Sequence, residues 1–403
     1  MKILVINCGS STLKFQLFDM ENETALIKGK VEKIGVKGSS VRFRVVNRDV
    51  QTIEEDIPDH KKAFELMARI IVDPSIGCIK NTEEIDAIGH RVVHGGSRYT
   101  DSVIIDKHVM DDINEYSIYA PLHNPINLVG IESAKEIFPH APNVAVFDTA
   151  FHHTMPRYAY IYGIPYELSE KYGIRRYGFH GTSHSYVAQR TAKILERPIE
   201  ELKIVTCHIG NGTSITAVEY GKSIDTSMGM TPLQGIIMGT RSGTIDPSIL
   251  ELLMEKEGLN DRQLIEMLNK KSGLLGLSGI SSDMRDLEAA ARKGEQRALL
   301  ALEVQAYQVK KFIGEYIFIL NGVDAITFAG GVGENDWIFR EEVCRHLEFM
   351  DSVLDVEQNR KMISQEGIIS TQESKVKILV VPTNEELIIA RETVQVVKRS
   401  GDL

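Results

Sequence analysis

Hydrophobic and polar positions alternate along the first part of the chain. Within Met1–Asp19, two apolar runs flank a short Gly/Ser turn, a pattern that predicts a β-hairpin. The segment 25–57 continues with apolar residues at every second position and is predicted to form further strands. The period then changes at His60–Val72, where apolar residues recur three or four positions apart, as in an amphipathic helix.

The rest of the chain alternates between short apolar runs and helical patterns. The predicted strands lie at 85–96, 143–149, 204–226, 325–329 and 378–381. The predicted helices lie near 126–138, after the loop 177–184 up to 195, and at 247–257, 261–270, 284–293, 295–320 and 385–399. We expect Thr182 or Ser183 to cap the helix that ends at 195, and a Gly-rich bend at 330–333. Such alternation after an opening hairpin is typical of an α/β protein with mixed sheets.

The opening hairpin has a counterpart in the second half of the chain. When the two are aligned, Gly9 falls on Gly210 and Thr12 on Thr213. Two further pairs follow in the same order, namely 86–96 with 324–333 and 144–149 with 378–383. Three ordered pairs predict an internal duplication, and hence two related lobes. Each hairpin turn offers N–H groups and hydroxyls suited to phosphate, so the two lobes are expected to hold one polyphosphate between them.

Composition narrows the function classes. A chain of 403 residues can form two domains, and 43% hydrophobic with 25% charged residues is typical of globular proteins. The formal net charge of −10 argues against nucleic acid as the main partner, although a small anion is compatible with it. The four cysteines are scattered, and no apolar run has the length of a signal peptide core or a membrane span. We therefore expect a cytoplasmic protein without a membrane partner.

Several familiar signatures do not fit. The chain contains neither a P-loop nor the H-R-D and D-F-G motifs of protein kinases. Ser11 and Lys14 match S-x-x-K, but they lie in a hairpin pattern and no K-T-G follows. His90 and His94 are spaced as zinc ligands on a helix would be, yet their segment reads as a strand, where such side chains lie too far apart.

Three charged residues are candidates for chemistry on their surroundings alone. Arg91 lies close to Gly95-Gly96, and Arg241 lies in the Gly-rich segment 229–246, so a ligand could approach both closely. A guanidinium group matches phosphate oxygens bidentately. Asp148 follows an apolar strand, a position that often serves a ligand site in α/β sheets, with a helix cap as the alternative. The stretch 330–335 could bind a nucleotide through its backbone or simply close a strand–helix turn.

Six ordered stretches of this chain resemble the acetate kinase family. They are 7–14 (NCGSSTLK), 90–96 (HRVVHGG), 147–152 (FDTAFH), 177–184 (YGFHGTSH), 228–247 and 328–335 (FAGGVGEN). The resemblance extends from residue 3 to about residue 390. Position 12 is Thr where Ser is common in the family, and the hydroxyl is kept.

The resemblance implies the fold of actin, hexokinase and Hsp70-type ATPases. That fold is α/β, with two lobes, duplicated ribonuclease-H-like cores, mixed sheets and a cleft between the lobes. The first lobe is expected to comprise 1–150 with 385–403, and the second, which would bind the nucleotide, 151–384.

The resemblance also implies a reaction and a set of site residues. The reaction would be reversible phosphoryl transfer from ATP to acetate, giving ADP and acetyl phosphate, with Mg²⁺ or in its place Mn²⁺, in a homodimer. Carried over by position, the catalytic residues would be Asp148, His180, Arg241 and Arg91, the last of which would also bind the acyl group. The pocket for the acetate methyl would comprise Val93, Leu122, Phe179 and Pro232. ATP would contact Lys14, His208, Ile209, Gly210, Asn211, Gly212, Asp283, Met284, Arg285, Gly331, Val332, Gly333, Glu334 and Asn335, and the metal would be held by Asn7 and Glu385.

Elementary chemistry agrees with these assignments. The transition state of phosphoryl transfer spreads negative charge over three oxygens, which the two arginines, His180 and the metal would stabilise. Acetate is already ionised at neutral pH, so its attack needs no general base. Our hypothesis is therefore that Asp148 orients a metal-bound water or a catalytic arginine rather than moving a proton.

Two alternatives remain open from the sequence. A propionate kinase, or another short-chain acyl kinase, would share almost every motif, because one methylene in a pocket is worth only about 1–3 kcal/mol. The alternative from another class is an ATP-driven switch of the same fold, such as a chaperone or a filament subunit.

Overall fold

The computed structural model describes residues 1–401, which form two mixed sheets and the helices around them. The strands are β1 (Lys2–Gly9), β2 (Thr12–Asp19), β3 (Thr24–Glu32), β4 (Ser40–Val45), β5 (Gln51–Glu54), β6 (Ala87–Val92), β7 (Val103–Ile104), β8 (Asn143–Phe147), β9 (Lys203–Ile209), β10 (Thr213–Glu219), β11 (Lys222–Thr226), β12 (Ala325–Ala329), β13 (Gly367–Ile368) and β14 (Lys377–Val380).

The α-helices are distributed over the whole chain. They are α1 (His60–Val72), α2 (Lys107–Glu115), α3 (Asn124–Ile137), α4 (Arg157–Tyr160), α5 (Tyr166–Tyr172), α6 (Gly181–Ile194), α7 (Ser248–Glu257), α8 (Asp261–Lys270), α9 (Gly273–Ser278), α10 (Met284–Ala291), α11 (Gln296–Ile319), α12 (Gly330–Asn335), α13 (Trp337–Cys344), α14 (Val356–Lys361) and α15 (Glu385–Ser400). Within residues 1–401, none of these helices has the length and apolarity needed to cross a membrane.

The chain forms two units. The first unit comprises Met1–Ala150 and the segment that begins at Asn384, and the second unit comprises Phe151–Thr383. The last helix, α15, thus belongs to the first unit although it follows the second in the chain.

The sheet of the first unit has the strand order β5-β4-β3-β2-β1-β6-β8-β7. Strands β1 to β5 are consecutive antiparallel neighbours, whereas β1, β6 and β8 run parallel. Parallel neighbours need a crossover connection, which is why helices precede β6 and β8. The carboxyl ends of β1, β6 and β8 therefore lie at one edge of the sheet.

The sheet of the second unit repeats this arrangement, with the order β11-β10-β9-β12-β14-β13. Its strands β9, β12 and β14 are parallel, as β1, β6 and β8 are in the first unit. Its strands β9, β10 and β11 are antiparallel neighbours, as β1, β2 and β3 are in the first unit. Each of the three pairs of echoing segments in the sequence falls on corresponding strands. The predicted α/β class with mixed sheets and the internal duplication are confirmed.

Alternation along β1 and β6 distributes the helices of the first unit over the two faces of its sheet. Leu4 and Ile88 are wholly buried in a core that also contains Phe64 of α1 and Phe138. The Cβ position of Gly89 lies on the other face of the sheet, 2.7 Å from the Ile389 side chain in α15. Because side chains alternate, odd-numbered residues of β1 and β6 face α15.

Most predicted elements are found near their expected bounds, and two local predictions are wrong. Helix α6 begins at Gly181, so Thr182 and Ser183 lie inside its first turn, and its N-cap is His180, which makes no side-chain capping bond. The predicted bend at 330–333 is instead the short helix α12. Helix propensity disfavours a helix with three glycines. Here the helix nevertheless forms, directly after the end of the parallel strand β12.

Candidate active site

The pair of Arg91 and Asp148 lies at the carboxyl ends of two parallel strands. The backbone N–H of Asp148 donates to the Val92 carbonyl at 2.9 Å, which continues the ladder between β6 and β8 by one residue. Arg91 Nη2 consequently lies 2.7 Å from Asp148 Oδ2. Asp148 is wholly buried. The Asp148 carboxylate therefore binds a guanidinium group.

Glu385 completes a charged cluster in the first unit. It is the first residue of α15, and its Oε2 lies 3.9 Å from Arg91 Nε. Burial raises the pKa of Glu385 to about 7, and the neighbouring Asp148 and Glu386 add to this effect while Arg91 and Lys14 oppose it. Burial also disfavours the charged form of Arg91, yet Asp148 and Glu385 outweigh that cost and raise its pKa.

Arg91 has one hydrogen-bond donor that no neighbouring side chain within residues 1–401 satisfies. Its Nε is buried and has no hydrogen-bond acceptor among the residues that the structure describes. A buried donor without an acceptor costs free energy, and a carboxylate or phosphate oxygen would remove that cost.

The residues predicted to hold the metal fit a hard divalent cation. Asn7 is an odd-numbered residue of β1 and so lies on the face toward α15, as Arg91 does on β6. An amide oxygen and a carboxylate are donors that Mg²⁺ accepts, and a bound cation would favour the ionised form of Glu385, which burial disfavours. Residues 1–401 contain no cluster of three ligating side chains, so a cation at these two residues would keep several water ligands.

Two buried asparagines of α3 position the loop that follows β6. Asn127 Oδ1 accepts from the Val93 N–H, and Asn124 Oδ1 accepts from the His94 N–H, each at 3.1 Å. Asn127 Nδ2 also donates to the Cys8 carbonyl at 3.2 Å, which ties the end of β1 to the same helix. Neither residue was predicted from the sequence to act in the site. Asparagines next to a helix-starting Pro125 were the available signal.

In the second unit, the turn between β9 and β10 lies beside two predicted catalytic residues. Gly210 N–H donates to the Gly212 carbonyl at 3.0 Å and closes the turn. A Cβ on Gly212 would lie 3.2 Å from His180 Nε2 and 3.8 Å from Arg241 Nη1. A side chain at position 212 would crowd the His180 ring, and the structure thus brings together the predicted phosphate turn, His180 and Arg241.

A chain of hydrogen bonds leads from the core to the His180 ring. His180 Nδ1 lies 2.8 Å from Ser214 Oγ, and the same oxygen lies 2.7 Å from His184 Nε2. His184 Nδ1 in turn lies 2.7 Å from Thr206 Oγ1. Burial lowers the pKa of His184 well below its ordinary value, so this ring carries a single proton. We call these three partners, Thr206, His184 and Ser214, the relay.

The direction of the relay follows from the Thr206 hydroxyl. Its other acceptor, the Thr216 carbonyl, lies at 3.5 Å, which is too long for a strong bond. The better arrangement has Thr206 donating to His184 Nδ1, His184 Nε2 donating to Ser214, and Ser214 donating to His180 Nδ1. His180 then carries its proton on Nε2, the atom that lies beside Gly212.

The Arg241 backbone is held against the start of α9. Met238 N–H donates to the Arg241 carbonyl at 3.0 Å, and Leu274 N–H donates to the Met238 carbonyl at 2.9 Å. Between them, Gly273 adopts a φ of 62°, and a Cβ there would lie 2.6 Å from the Arg241 carbonyl oxygen. The guanidinium Nη1 donates to the Pro232 carbonyl at 3.2 Å, which places one residue of the predicted methyl pocket beside Arg241.

A cavity of about 670 Å³ opens from the same turn within the second unit. Its volume lies in the range of small-molecule sites. Eight residues predicted to contact ATP line it: Gly210, Asn211, Asp283, Met284, Arg285, Gly331, Val332 and Asn335. Turns and helix starts that are far apart in the sequence therefore line one cavity.

Some predicted residues do not line this cavity. The Ile209 side chain is wholly buried in the core of the second unit. Gly333 is not in the lining, and the Glu334 carboxylate accepts from the N–H groups of Gly330 and Thr383, both at 3.0 Å. The Glu334 side chain therefore links the first residue of α12 to the segment that follows β14.

The remaining predicted residues divide between the two units. His208 stacks on His180 with the ring centres 4.2 Å apart, and Phe179 is buried. In the first unit, Val93 is buried, Leu122 is 54% exposed, and Lys14 lies opposite Asn7 in the β1–β2 pair.

Several residues that line the cavity were not predicted from the sequence. Glu288 and Arg292 line it together with Met284, and the spacing of four marks one face of α10 and its C-terminal end. Trp337 and Ile338, at the start of α13, line it as well. The helical period after Asp283 and the single tryptophan were signals that could have revealed these residues.

These features together define a class of protein. A glycine-containing turn with two nitrogen donors, next to a cavity of nucleoside size in a duplicated α/β fold, is typical of a phosphotransferase that uses a nucleotide.

Comparisons with known proteins agree with this class and also indicate the family. The model of the acetokinase family matches residues 2–391. An acetate kinase from Thermotoga maritima is 56% identical over 403 residues, covering all of both chains. The crystal structure of Porphyromonas gingivalis acetate kinase superimposes with a TM-score of 0.92 at 47% identity, covering 98% of this chain and 99% of that one. That of a propionate kinase from Francisella tularensis superimposes with a TM-score of 0.90 at 44% identity, with the same coverage.

The chain therefore belongs to the acetokinase family, as its sequence motifs predicted. It is an enzyme, a phosphotransferase whose acceptor is a carboxyl group. The family acts on acetate and ATP, and the use of ATP implies a divalent metal ion.

Proposed function

We propose that this chain transfers the γ-phosphoryl group of ATP to acetate, reversibly and with Mg²⁺, giving ADP and acetyl phosphate. Family membership supports the reaction. The observation that carries the residue assignment is the position of His180 Nε2 and Arg241 Nη1 beside Gly212. Two nitrogen donors at a turn suited to phosphate are what a migrating phosphoryl group requires.

ATP is bound mainly by the second unit in this proposal. The cavity of about 670 Å³ takes the nucleoside, between the starts of α10, α12 and α13. The turn 210–212 takes the phosphates through its N–H groups, and Lys14 adds a positive charge.

Acetate is bound by Arg91 in this proposal. The buried Nε donor binds one carboxylate oxygen, and Asp148 holds the guanidinium group in place through its 2.7 Å bond. Val93, Leu122, Phe179 and Pro232 are proposed to surround the methyl group. This assignment gives Asp148 the orienting role of our hypothesis and requires no proton transfer from acetate.

Asn7 and Glu385 would hold Mg²⁺, which when bound neutralises charge on the phosphate oxygens. The acetate oxygen forms a bond to the γ-phosphorus as the bond from that phosphorus to the bridging oxygen of ADP breaks. His180 and Arg241 donate hydrogen bonds to the transferring group, on which charge is spread in the transition state.

Propionate is the alternative acceptor, because the chain is also similar to a propionate kinase. The test is hydroxamate formation from ATP, hydroxylamine and a series of acetate, propionate and butyrate. We expect the highest kcat/KM with acetate. A higher value with propionate would replace the proposal by its alternative, and product formation independent of any carboxylate would contradict both.

Arg241→Leu tests the residue assignment. Loss of a preorganised donor should lower kcat about 100- to 1,000-fold, or roughly 3–4 kcal/mol in transition-state binding, with a smaller effect on the KM for ATP. Arg262→Leu, which removes an exposed cation at the start of α8, is the matched control and should leave kcat unchanged. Unchanged turnover in Arg241→Leu would remove Arg241 from the proposed site.

We also propose that the chain acts as a homodimer in the cytoplasm, as the family resemblance implies. Sedimentation velocity should give twice the mass of the chain, and a monomer at micromolar concentration would contradict this.

A further inference from the structure

A groove lined by cations lies on one face of the sheet of the first unit. It has a volume of about 490 Å³ and lies over β2, β3 and β4. We call it the basic groove and define it by the five cations that line it, Lys14, Lys28, Lys30, Arg42 and Arg44. Two acidic residues, Glu32 and Glu386, also line it, so positive charge is in excess in a chain whose net charge is −10.

Strand register brings these cations into direct opposition. Lys14, Lys30 and Arg42 occupy paired positions on three neighbouring strands, and Lys28 lies opposite Arg44. Like charges that face each other across strands destabilise a sheet. The arrangement therefore lowers the stability of the free protein unless an anion is bound.

Ion pairs inside the groove do not cancel this charge. Glu32 pairs with Lys30, and Arg44 Nε donates to the Arg48 carbonyl at 3.3 Å. Lys28 and Arg42 form no ion pair with another of the described residues.

Protection of a sheet edge does not account for the cations either. Charged side chains commonly prevent edge strands from pairing with other chains. Here β2, β3 and β4 are interior strands, since β5 lies outside β4. Their backbone groups are already paired, and the cations point from the face of the sheet.

We propose that the basic groove binds an anion with two or more phosphate groups, such as an oligophosphate, beside the proposed ATP site, with which the groove shares Lys14. Neighbouring strands lie about 4.8 Å apart and every second residue about 6.7 Å apart, so the five cations cover roughly 10 by 7 Å. This area exceeds that of a single phosphate. The negative charge of the whole chain favours a small anion over a nucleic acid.

The test compares tripolyphosphate binding to matched variants by isothermal titration calorimetry. Arg42→Thr/Arg44→Thr removes two groove cations with a residue suited to strands. Lys37→Thr/Lys107→Thr removes two exposed cations of the same unit outside the groove. We expect the groove variant to bind tripolyphosphate at least tenfold more weakly at the groove, the control to bind as the unaltered protein does, and all three to keep the same KM for ATP and kcat.

Thermal unfolding at low ionic strength supplies a second readout. Without an anion, Arg42→Thr should raise the melting temperature because it removes a like-charge opposition, and high salt should abolish the gain. Equal tripolyphosphate affinity in the groove variant would overturn the proposal. So would equally tight binding of orthophosphate, or displacement of tripolyphosphate by a duplex DNA at lower concentration.

Discussion

At the scale of single residues, the position of one proton decides what His180 can donate. The His180 residue has a left-handed backbone conformation, with φ 55°, and lies at the start of α6. A non-glycine residue in this conformation carries strain that the surrounding structure has to hold. The relay supplies such contacts and, by its direction, leaves the Nε2 proton of His180 facing the phosphate turn.

Thr206→Val tests the relay because it keeps the shape of the side chain and removes its hydroxyl. Without that donor, neither tautomer of His184 is favoured, and the share of His180 with its proton on Nε2 should fall. We expect kcat to fall several-fold with little change in the KM for ATP, and about 1 kcal/mol of stability to be lost. Two-bond ¹H–¹⁵N spectra of the histidine rings report the tautomer directly.

Thr206→Ser keeps the hydroxyl and should restore both the tautomer and kcat. If His180 in the unaltered protein carries its proton on Nδ1, the relay runs in the opposite direction and our description of it is wrong.

Sequence motifs pointed to His180 but not to the residues that orient it. Thr206 lies 22 residues from His184, and Ser214 lies 30 residues from it. Short polar side chains on β9 and β10 read as ordinary strand residues. Only the pairing of these strands and the packing of α6 on them bring the hydroxyls to the two rings.

At the scale of elements, the short helix α9 determines where Arg241 lies. Its six residues are too few to show a period, so sequence analysis missed it. Its first residue, Gly273, nevertheless packs directly against the backbone of the loop 238–241. A Cβ at this position would lie 2.1 Å from the Met238 carbonyl oxygen, which is too close for any side chain.

Gly273→Ala should therefore affect both stability and catalysis. The new Cβ would overlap the Met238 carbonyl oxygen, and the positive φ adds strain. We expect a loss of about 1–3 kcal/mol in the free energy of unfolding, and a lower kcat because Arg241 is displaced. Denaturant unfolding and steady-state kinetics measure the two effects.

Gly314→Ala is the matched control. Gly314 lies inside α11 with open space around its Cβ position, so alanine should stabilise the helix by about 0.5–1 kcal/mol and leave kcat unchanged. A Gly273→Ala variant as stable and active as the unaltered protein would show that the loop tolerates the substitution.

The predictions of longer elements were accurate because their periods are clear. Helices α1 and α8 have the predicted bounds, as does β12. The errors occurred at Thr182, Ser183 and the stretch 330–333, where the parallel strands and the site impose a conformation that local propensity disfavours.

At the scale of the whole molecule, several buried carboxyl groups bind protons more tightly than exposed ones. Burial raises the pKa of Asp225 to about 6 and that of Glu288 and Glu385 to about 7. It also raises the pKa of Glu334 and Glu392. A raised carboxyl pKa means that the folded state holds more protons than the unfolded state between the two pKa values.

The contribution of these carboxyl groups to stability should therefore fall as the pH rises from about 4.5 to 7 and beyond, the reverse of the behaviour of a carboxylate in a strong ion pair. The buried rings of His90 and His184 act in the opposite direction, because burial lowers the pKa of both. Between pH 5.5 and pH 8, the contribution of each strongly shifted group changes by about 2 kcal/mol or less. We expect the difference in melting temperature between the unaltered protein and Glu385→Gln, both without nucleotide and metal, to be more in favour of the unaltered protein at pH 5.5 than at pH 8. Differential scanning calorimetry across this range measures it.

The comparison with Glu385→Gln isolates one of these groups, because the glutamine side chain does not titrate. Glu366→Gln is the matched control, since the hydrogen bond of Glu366 with Arg190 lowers the pKa of that carboxyl. A difference between the unaltered protein and Glu385→Gln that stays constant or grows from pH 5.5 to pH 8 would contradict the prediction.

The sequence by itself determined the elements, the duplication and the family. Periods of two and near four are local properties, and the motifs at 7–14, 90–96 and 328–335 are contiguous. These sufficed to predict an α/β kinase of the acetokinase family, which the comparisons confirm.

Only the tertiary structure decided which side chains meet. Alternation along a strand predicts the face on which a residue lies, but not the partner opposite it, because register depends on the neighbouring strand. Arg91 and Asp148 are 57 residues apart and meet because β6 and β8 are parallel neighbours. Lys14, Lys30 and Arg42 form one groove because β2, β3 and β4 pair in this register, a fact that no local pattern contains.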